Sequence, residues 1–169
     1  TGCKAHARGT ETQFPNPRRR ANLPLRNSRM LIVAAQDGQV LLERRPPNGV
    51  WGGLYAFPEV REDVQAERWC LNVVNNEPLH VHTLPELVHT FSHFRLRIRP
   101  ELVVLRATGS SRTATAVMED TSRLWYKLND PANVGLAAPV RKLLVTTQAM
   151  LELEEKILDE SNGQLRIVG

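Results

Sequence analysis

The sequence predicts a single α+β or layered α/β domain, and three local patterns carry that expectation. Arg29-Met30-Leu31-Ile32-Val33-Ala34-Ala35 is an apolar run of strand length, followed by Asp37-Gly38, a dipeptide that favours a tight hairpin. Arg95-Leu96-Arg97-Ile98-Arg99 alternates strictly, so its apolar side chains face one way and its arginines the other. Gly135-Leu136-Ala137-Ala138-Pro139 introduces a helix with proline in its first turn and Val140, Leu143 and Leu144 on one face. Strands, a helix, more strands and a closing helix pack as layers on a shared core. With 169 residues, 41% of them hydrophobic, the chain has enough apolar surface to build that core.

The remaining elements follow in order. Residues 1–27 are rich in Arg, Pro and small polar residues. Phe14-Pro15-Asn16-Pro17 resists helix and sheet alike, so this part is expected to be a connector. Structure is expected to begin at Arg29, and Val40 to Arg44 completes the first hairpin. Arg61 to Val74 carries Val64, Trp69, Leu71 and Val73 among charges and fits a helix only loosely. Leu79 to Val88 reads as extended with a break at Pro85, and the alternating strand continues to Arg106. Gly109 to Asp120 reads as a polar loop and Arg123 to Lys127 as another strand. The domain is expected to span residues 28–148, followed by an acidic tail, 149–169, that either prolongs the last helix or frays.

Charge and composition narrow the class of function. From Thr1 to Met30 seven basic residues (Lys4, Arg8, Arg18, Arg19, Arg20, Arg26, Arg29) stand against one acid, Glu11. That suits a polyanion such as DNA, and equally a solvated linker. No run of eighteen apolar residues occurs, so no membrane-crossing helix is expected. Thr1-Gly2-Cys3-Lys4 has no initiator Met and no apolar stretch after its charges, which points to a fragment of a longer protein. Two distant cysteines, Cys3 and Cys70, give no disulfide framework and suit a reducing cytoplasm, with Cys70 a buried free thiol. His80, His82, His89 and His93 invite a zinc reading, but no Cys-x-x-Cys or His-Glu-x-x-His spacing supports one.

Two segments carry the chemistry. Arg44-Arg45-Pro46-Pro47-Asn48-Gly49-Val50-Trp51-Gly52-Gly53-Leu54-Tyr55-Ala56-Phe57-Pro58 mixes glycines with large apolar residues, as in a rigid packed loop with Trp51, Leu54 and Phe57 in the core. His89-Thr90-Phe91-Ser92-His93-Phe94 places a hydroxyl and two imidazoles among phenylalanines, a reading head for a flat polar ligand such as a nucleobase. The plain alternative is a strand-end turn whose Phe packs inward.

Gly53 and Glu59 have the spacing that opens a Nudix box, the strand–loop–helix motif of hydrolases acting on nucleoside diphosphate derivatives. That resemblance implies an Arg-Glu pair after Glu59 and then two adjacent helical glutamates that hold Mg²⁺, a hard cation needing several oxygen ligands. The matching positions here carry Glu67-Arg68, in reverse order, and Leu71-Asn72. The frame is therefore expected without its hydrolytic chemistry. An active Nudix hydrolase on a free nucleotide and a non-catalytic protein-interaction module are the alternatives.

In order and spacing, the segment Arg44–Pro58, the segment His89–Phe94 and Val134-Gly135-Leu136-Ala137-Ala138-Pro139-Val140 resemble the C-terminal domain of the MutY family of adenine DNA glycosylases. Gly2-Cys3 followed by Phe14-Pro15 resembles the junction leaving that family's iron–sulfur region, so the resemblance runs from about Cys3 to Leu144. It implies a Nudix-like mixed β-sheet flanked by helices, an α/β/α sandwich. It implies a lesion-recognition domain of base-excision repair, reading 8-oxoguanine opposite the adenine to be excised. An upstream helical domain of the same polypeptide would flip and cut the adenine, so no catalytic residue and no glycosylase activity are expected of this chain alone. The partners implied are that domain and double-stranded DNA containing 8-oxoguanine·adenine, with no membrane. The location implied is the bacterial cytoplasm, at the nucleoid, or the eukaryotic nucleus or mitochondrion.

By the same resemblance Phe91, Ser92 and His93 meet the lesion, and Arg18, Arg19, Arg20, Arg44, Arg45, Arg95 and Arg97 are candidates for the DNA backbone. Serine suits the task, because its hydroxyl both donates and accepts. Relative to guanine, 8-oxoguanine gains an O8 acceptor and turns N7 into a donor. Arg95, Arg97 and Arg99 read more readily as the wet face of a half-buried strand than as a DNA-facing stripe, because alternate exposed arginines are common there. Cys3 matches the last of four ligands to a 4Fe–4S cluster in the full-length parent. One thiolate does not hold such a cluster, so none is expected in this chain.

Overall fold

Strand β1, Leu25–Ala34, is the centre of the molecule. Its residues Met30, Ile32 and Ala34 are buried on one face and Leu31 and Val33 on the other, because successive side chains of a strand point to opposite sides. A sheet apolar on both faces needs a layer on each side. The computed structural model describes residues 23–106 and 122–165, with side chains as far as Ile157. Cys3, Arg18, Arg19, Arg20 and the Gly109–Asp120 segment lie outside the described residues.

β1 runs parallel to β7, Arg95–Leu105, from the pair Leu25↔Arg95 to the pair Ala34↔Val104. It therefore starts at Leu25 rather than at Arg29. Residues 25 to 27 are exposed and lack an apolar pattern; they are strand because β7 supplies their ladder. β2, Gln39–Arg44, folds back through the Asp37-Gly38 turn, where Gly38 takes φ +76° and its N–H donates to the Ala35 carbonyl. β3, Tyr55–Ala56, and β8, Arg123–Lys127, pair with β2, while β4, Glu59–Val60, pairs with β1.

β5, Pro78–Thr83, and β6, Leu87–Thr90, share the far edge of β7. Pro100 sits in β7 opposite the gap between them, where its missing N–H breaks no ladder and its carbonyl accepts from the Leu84 amide at 3.0 Å. The whole is one mixed sheet, ordered β3-β2-β1-β7-β5 among the described strands.

Helix α1, Ala66–Val74, covers one face with Ala66, Cys70 and Val74, spaced by four, against Leu31, Val33, Leu41, Val103 and Leu105. It ends at Asn75, whose φ of +50° is the left-handed cap that Asn tolerates. Helix α2, Ala138–Leu165, covers the other face through Val140, Leu143 and Leu144. Thr147, Met150 and Leu151 continue that stripe at helical spacing, so the acidic tail prolongs the helix. The arrangement is the α/β/α sandwich expected of a Nudix-like domain.

Cys70 is fully buried, and that burial, with a smaller push from Glu67, raises its thiol to about 12 from the ordinary 9.0. Its neutral form is favoured by folding, so the contribution is intact below about pH 9 and declines as pH rises toward about 12. Peptide mapping after iodoacetamide treatment at pH 8 should find Cys70 unmodified in the folded chain and alkylated in denaturant. Rapid native labelling would contradict its burial.

Candidate functional site

The three sequence segments that stand apart converge at one end of the sheet. Tyr55 at the end of the glycine-rich loop accepts from Ala137 and donates to the Gly135 carbonyl, at 3.1 and 2.8 Å. Gly135 packs closely there, and a Cβ would lie 2.9 Å from the end of the Leu54 side chain, which would have to shift. The loop itself is pinned by Arg45 N–H to the Leu54 carbonyl at 2.8 Å and by Gly53 N–H to the Arg45 carbonyl at 3.2 Å. A Cβ at Gly52 would overlap the Pro47 carbonyl oxygen and lie 2.8 Å from its carbon. This is close backbone approach that only glycine permits.

Between Gly49 and Gly52, Trp51 adopts φ +57°, an unfavourable region for an aromatic residue. That conformation turns its half-buried ring onto the β6–β7 hairpin, with centroids 5.9 Å from His89 and 5.8 Å from Phe91. His89 meets Phe91 edge-on at 4.7 Å, Phe91 stacks on Phe94 at 4.4 Å with 17° between planes, and the Arg26 guanidinium lies 4.5 Å over Phe94. The Phe91 amide donates to the Phe94 carbonyl at 2.8 Å and closes the turn. Ser92 and His93 at its apex are exposed, with Ser92 Oγ 3.1 Å from His93 Nδ1 and the His93 ring edge-on to Phe94 at 4.9 Å. A rigid aromatic stack thus holds a small polar tip out in solvent.

The other candidates distribute unevenly around this tip. Phe91 is half-buried as the middle ring of the stack. Arg95 is exposed beside the turn and has no ion pair among the described residues. Arg97 is 3.5 Å from Glu86, and Arg99 pairs with Glu62, so two of the three alternating arginines are engaged within the protein. Arg45 binds Glu59 at 2.8 Å, and exposed Arg44 donates through Nε to the Gly53 carbonyl at 3.3 Å. Phe57 is buried as expected of a core residue, whereas Trp51 and Leu54 are only half-buried. Sequence reasoning missed Trp51 as a support of the tip, although its flanking glycines signalled an unusual backbone. It missed Arg26 for lack of any local signal, since only β1–β7 pairing brings it to Phe94.

The Nudix-box region has a different occupant from the one its frame suggests. Leu71 and Asn72 are exposed on α1, and Glu59 is held by Arg45. Arg29 binds Glu101 in two-pronged fashion, Nε to Oε1 and Nη2 to Oε2 both at 2.7 Å, and Nη1 donates to the Val64 and Arg61 carbonyls. The bond to Glu101 raises the guanidinium's already high pKa further. Among the described residues no three His, Cys, Asp or Glu side chains are placed to hold a metal ion. His80 and His82 line a cavity of about 600 Å³ between β5 and α2, where His82 Nε2 lies 2.7 Å from Glu154.

The sequence profile of the NUDIX domain matches residues 29–146. The chain belongs to the NUDIX domain family. This NUDIX domain is 25% identical over 145 residues to the adenine DNA glycosylase of Buchnera aphidicola subsp. Acyrthosiphon pisum, covering 84% of the chain and 39% of that relative. It is 27% identical over 125 residues to the adenine DNA glycosylase of Arabidopsis thaliana, covering 63% of the chain and 20% of the relative. The chain thus spans about two fifths or less of the curated relatives it matches, and it is homologous to that part of them.

Among solved structures, the C-terminal domain of mouse MUTYH, determined in complex with human PCNA, superposes with a TM-score of 0.52 at 18% identity, over 77% of this chain and 89% of that one. Shewanella oneidensis NrtR superposes with a TM-score of 0.58 at 14% identity, over 74% and 63%. Both likenesses are likenesses of fold.

Proposed function

We propose that this NUDIX domain is the lesion-recognition part of an adenine DNA glycosylase of base-excision repair, reading 8-oxoguanine opposite the adenine to be excised. The observation that carries the reading is the exposed Ser92-His93 tip on its stack of Trp51, Phe91 and Phe94. A hydroxyl so presented can accept from N7–H of the oxidised base or donate to O8, while Phe91 and His93 flank the lesion or its neighbouring steps. Homology to adenine DNA glycosylases supports the same role. The adenine-cutting chemistry belongs to an upstream helical domain, whose three further cysteines would join Cys3 in a 4Fe–4S cluster. This chain has two cysteines, and Cys70 is buried, so its own residues do not fit that cluster. Arg26, Arg44 and Arg95, with the connector arginines Arg18, Arg19 and Arg20, supply positive charge for the backbone.

The test is titration of the chain with duplexes containing 8-oxoguanine·adenine, guanine·adenine or only normal pairs. The expected result is preference for the lesion, with affinity falling by roughly tenfold or more between about 50 and 200 mM salt if two or more phosphates are neutralised. Ser92→Ala should narrow the lesion preference by roughly two- to tenfold, the worth of one neutral hydrogen bond. Equal affinity for all three duplexes would overturn the assignment.

A further inference from the structure

Ser92 alone does not determine which way its hydroxyl points, and an unrestrained hydroxyl adapts to a donor or to an acceptor. Guanine presents an acceptor at N7 where 8-oxoguanine presents a donor, so a freely rotating serine accommodates both. The structure supplies a restraint. Ser92 Oγ is 3.1 Å from Nδ1 of His93, and the His93 ring rests edge-on against Phe94, itself stacked on Phe91 and capped by Arg26.

We infer that His93 is a positioning residue for specificity: its unprotonated Nδ1 draws the Ser92 hydroxyl proton toward itself and leaves only oxygen lone pairs facing the base. This rests on the lesion-reading function proposed above. A serine turned this way accepts from N7–H of 8-oxoguanine and confronts N7 of guanine with another acceptor, which is rejection by an unmade hydrogen bond. Once His93 is protonated, both ring nitrogens are donors. Nδ1–H then donates to Ser92 Oγ, the hydroxyl proton is freed, and guanine N7 can accept it. Selectivity is therefore greatest while the imidazole is neutral and narrows as pH falls.

Among the described residues, the charged and titratable groups around the tip come from three strands. His89 on β6 packs on Phe91, Arg26 on β1 lies over Phe94, and Arg95 opens β7. No described carboxylate forms an ion pair with His93. Among the described residues His89 is the neighbouring imidazole, and its ring touches Phe91 and Trp51 rather than the Ser92 hydroxyl.

The experiment measures affinity of the whole chain for 8-oxoguanine·adenine and guanine·adenine duplexes at several values from about pH 5.5 to 8. The expected ratio is largest at pH 8 and shrinks about threefold or more toward pH 5.5, mainly through gain on guanine. His93→Ala should give a low ratio that no longer varies with pH, which separates the effect from titration of the DNA. His89→Gln should retain the variation. A ratio that favours the lesion but stays constant with pH, or one that varies equally in His93→Ala, overturns the inference and leaves the lesion reader standing. Absence of lesion preference at every pH overturns both.

Discussion

Gly52→Ala is expected to lower stability by about 3 kcal/mol and, under the proposed function, to remove lesion selectivity as well. A methyl at this position meets the Pro47 carbonyl, with its carbon at 2.8 Å and the Pro46 oxygen at 3.3 Å. These are backbone atoms, so no side-chain rotation relieves the clash, and overpacking against rigid neighbours costs about 1–3 kcal/mol or more. The loop must open, and opening it withdraws Trp51 from His89 and Phe91. Urea denaturation should show a lower midpoint at unchanged slope. Gly49→Ala is a useful contrast. Its Cβ meets nothing within 4 Å, and its only penalty is the φ of +99°. A Gly52→Ala chain as stable as the parent would mean that the loop does not approach its own backbone in this way.

Arg29→Ala is expected to cost about 3 kcal/mol, toward the lower end for loss of one partner of a buried pair. The side chains of Arg29 and Glu101 are only 12% and 21% exposed, so Glu101 would be left with little water to replace its partner. The carbonyls of Arg61 and Val64 lose their donors at the same time. Arg29→Lys should recover only part of the loss, because an ammonium cannot make the planar two-pronged contact. In a double-mutant cycle with Glu101→Ala the two losses should fall short of additivity by more than about 1 kcal/mol, whereas independent sites add to within about 0.5 kcal/mol. Additive losses would show that the pair is not coupled.

Local pattern went far in this chain, and its limits are physical. Alternation at Arg95–Arg99, the Asp37-Gly38 turn and Pro139 in a first turn are signals written within a few residues, and each element formed where its signal lies. Residues 25 to 28 carried no such signal, because their strand exists only through a partner distant in sequence. Tyr55–Ala56 and Glu59–Val60 are two-residue strands, shorter than any period can reveal. The continuation of α2 through the acidic tail rested on Met150 and Leu151 reaching the core, which outweighed the charges between them. At the candidate site, Ser92 and His93 were legible from their neighbours Phe91 and Phe94. The strained Trp51 and the covering Arg26 were not, since one depends on loop closure and the other on strand pairing.

The parallel ladder between β1 and β7 joins Leu25 to Arg95 and Ala34 to Val104, so every pair bridges seventy positions. Such distant pairings raise contact order and place a domain among the slower folders of its size. On a ribosome the apolar stretch Met30–Ala34 emerges long before its partner exists, while the β6–β7 hairpin bearing Ser92 can close from adjacent residues. Nascent chains halted before β7 should therefore be sticky and protease-sensitive, and release of the segment through Leu105 is the moment at which the sheet can first be completed around its middle.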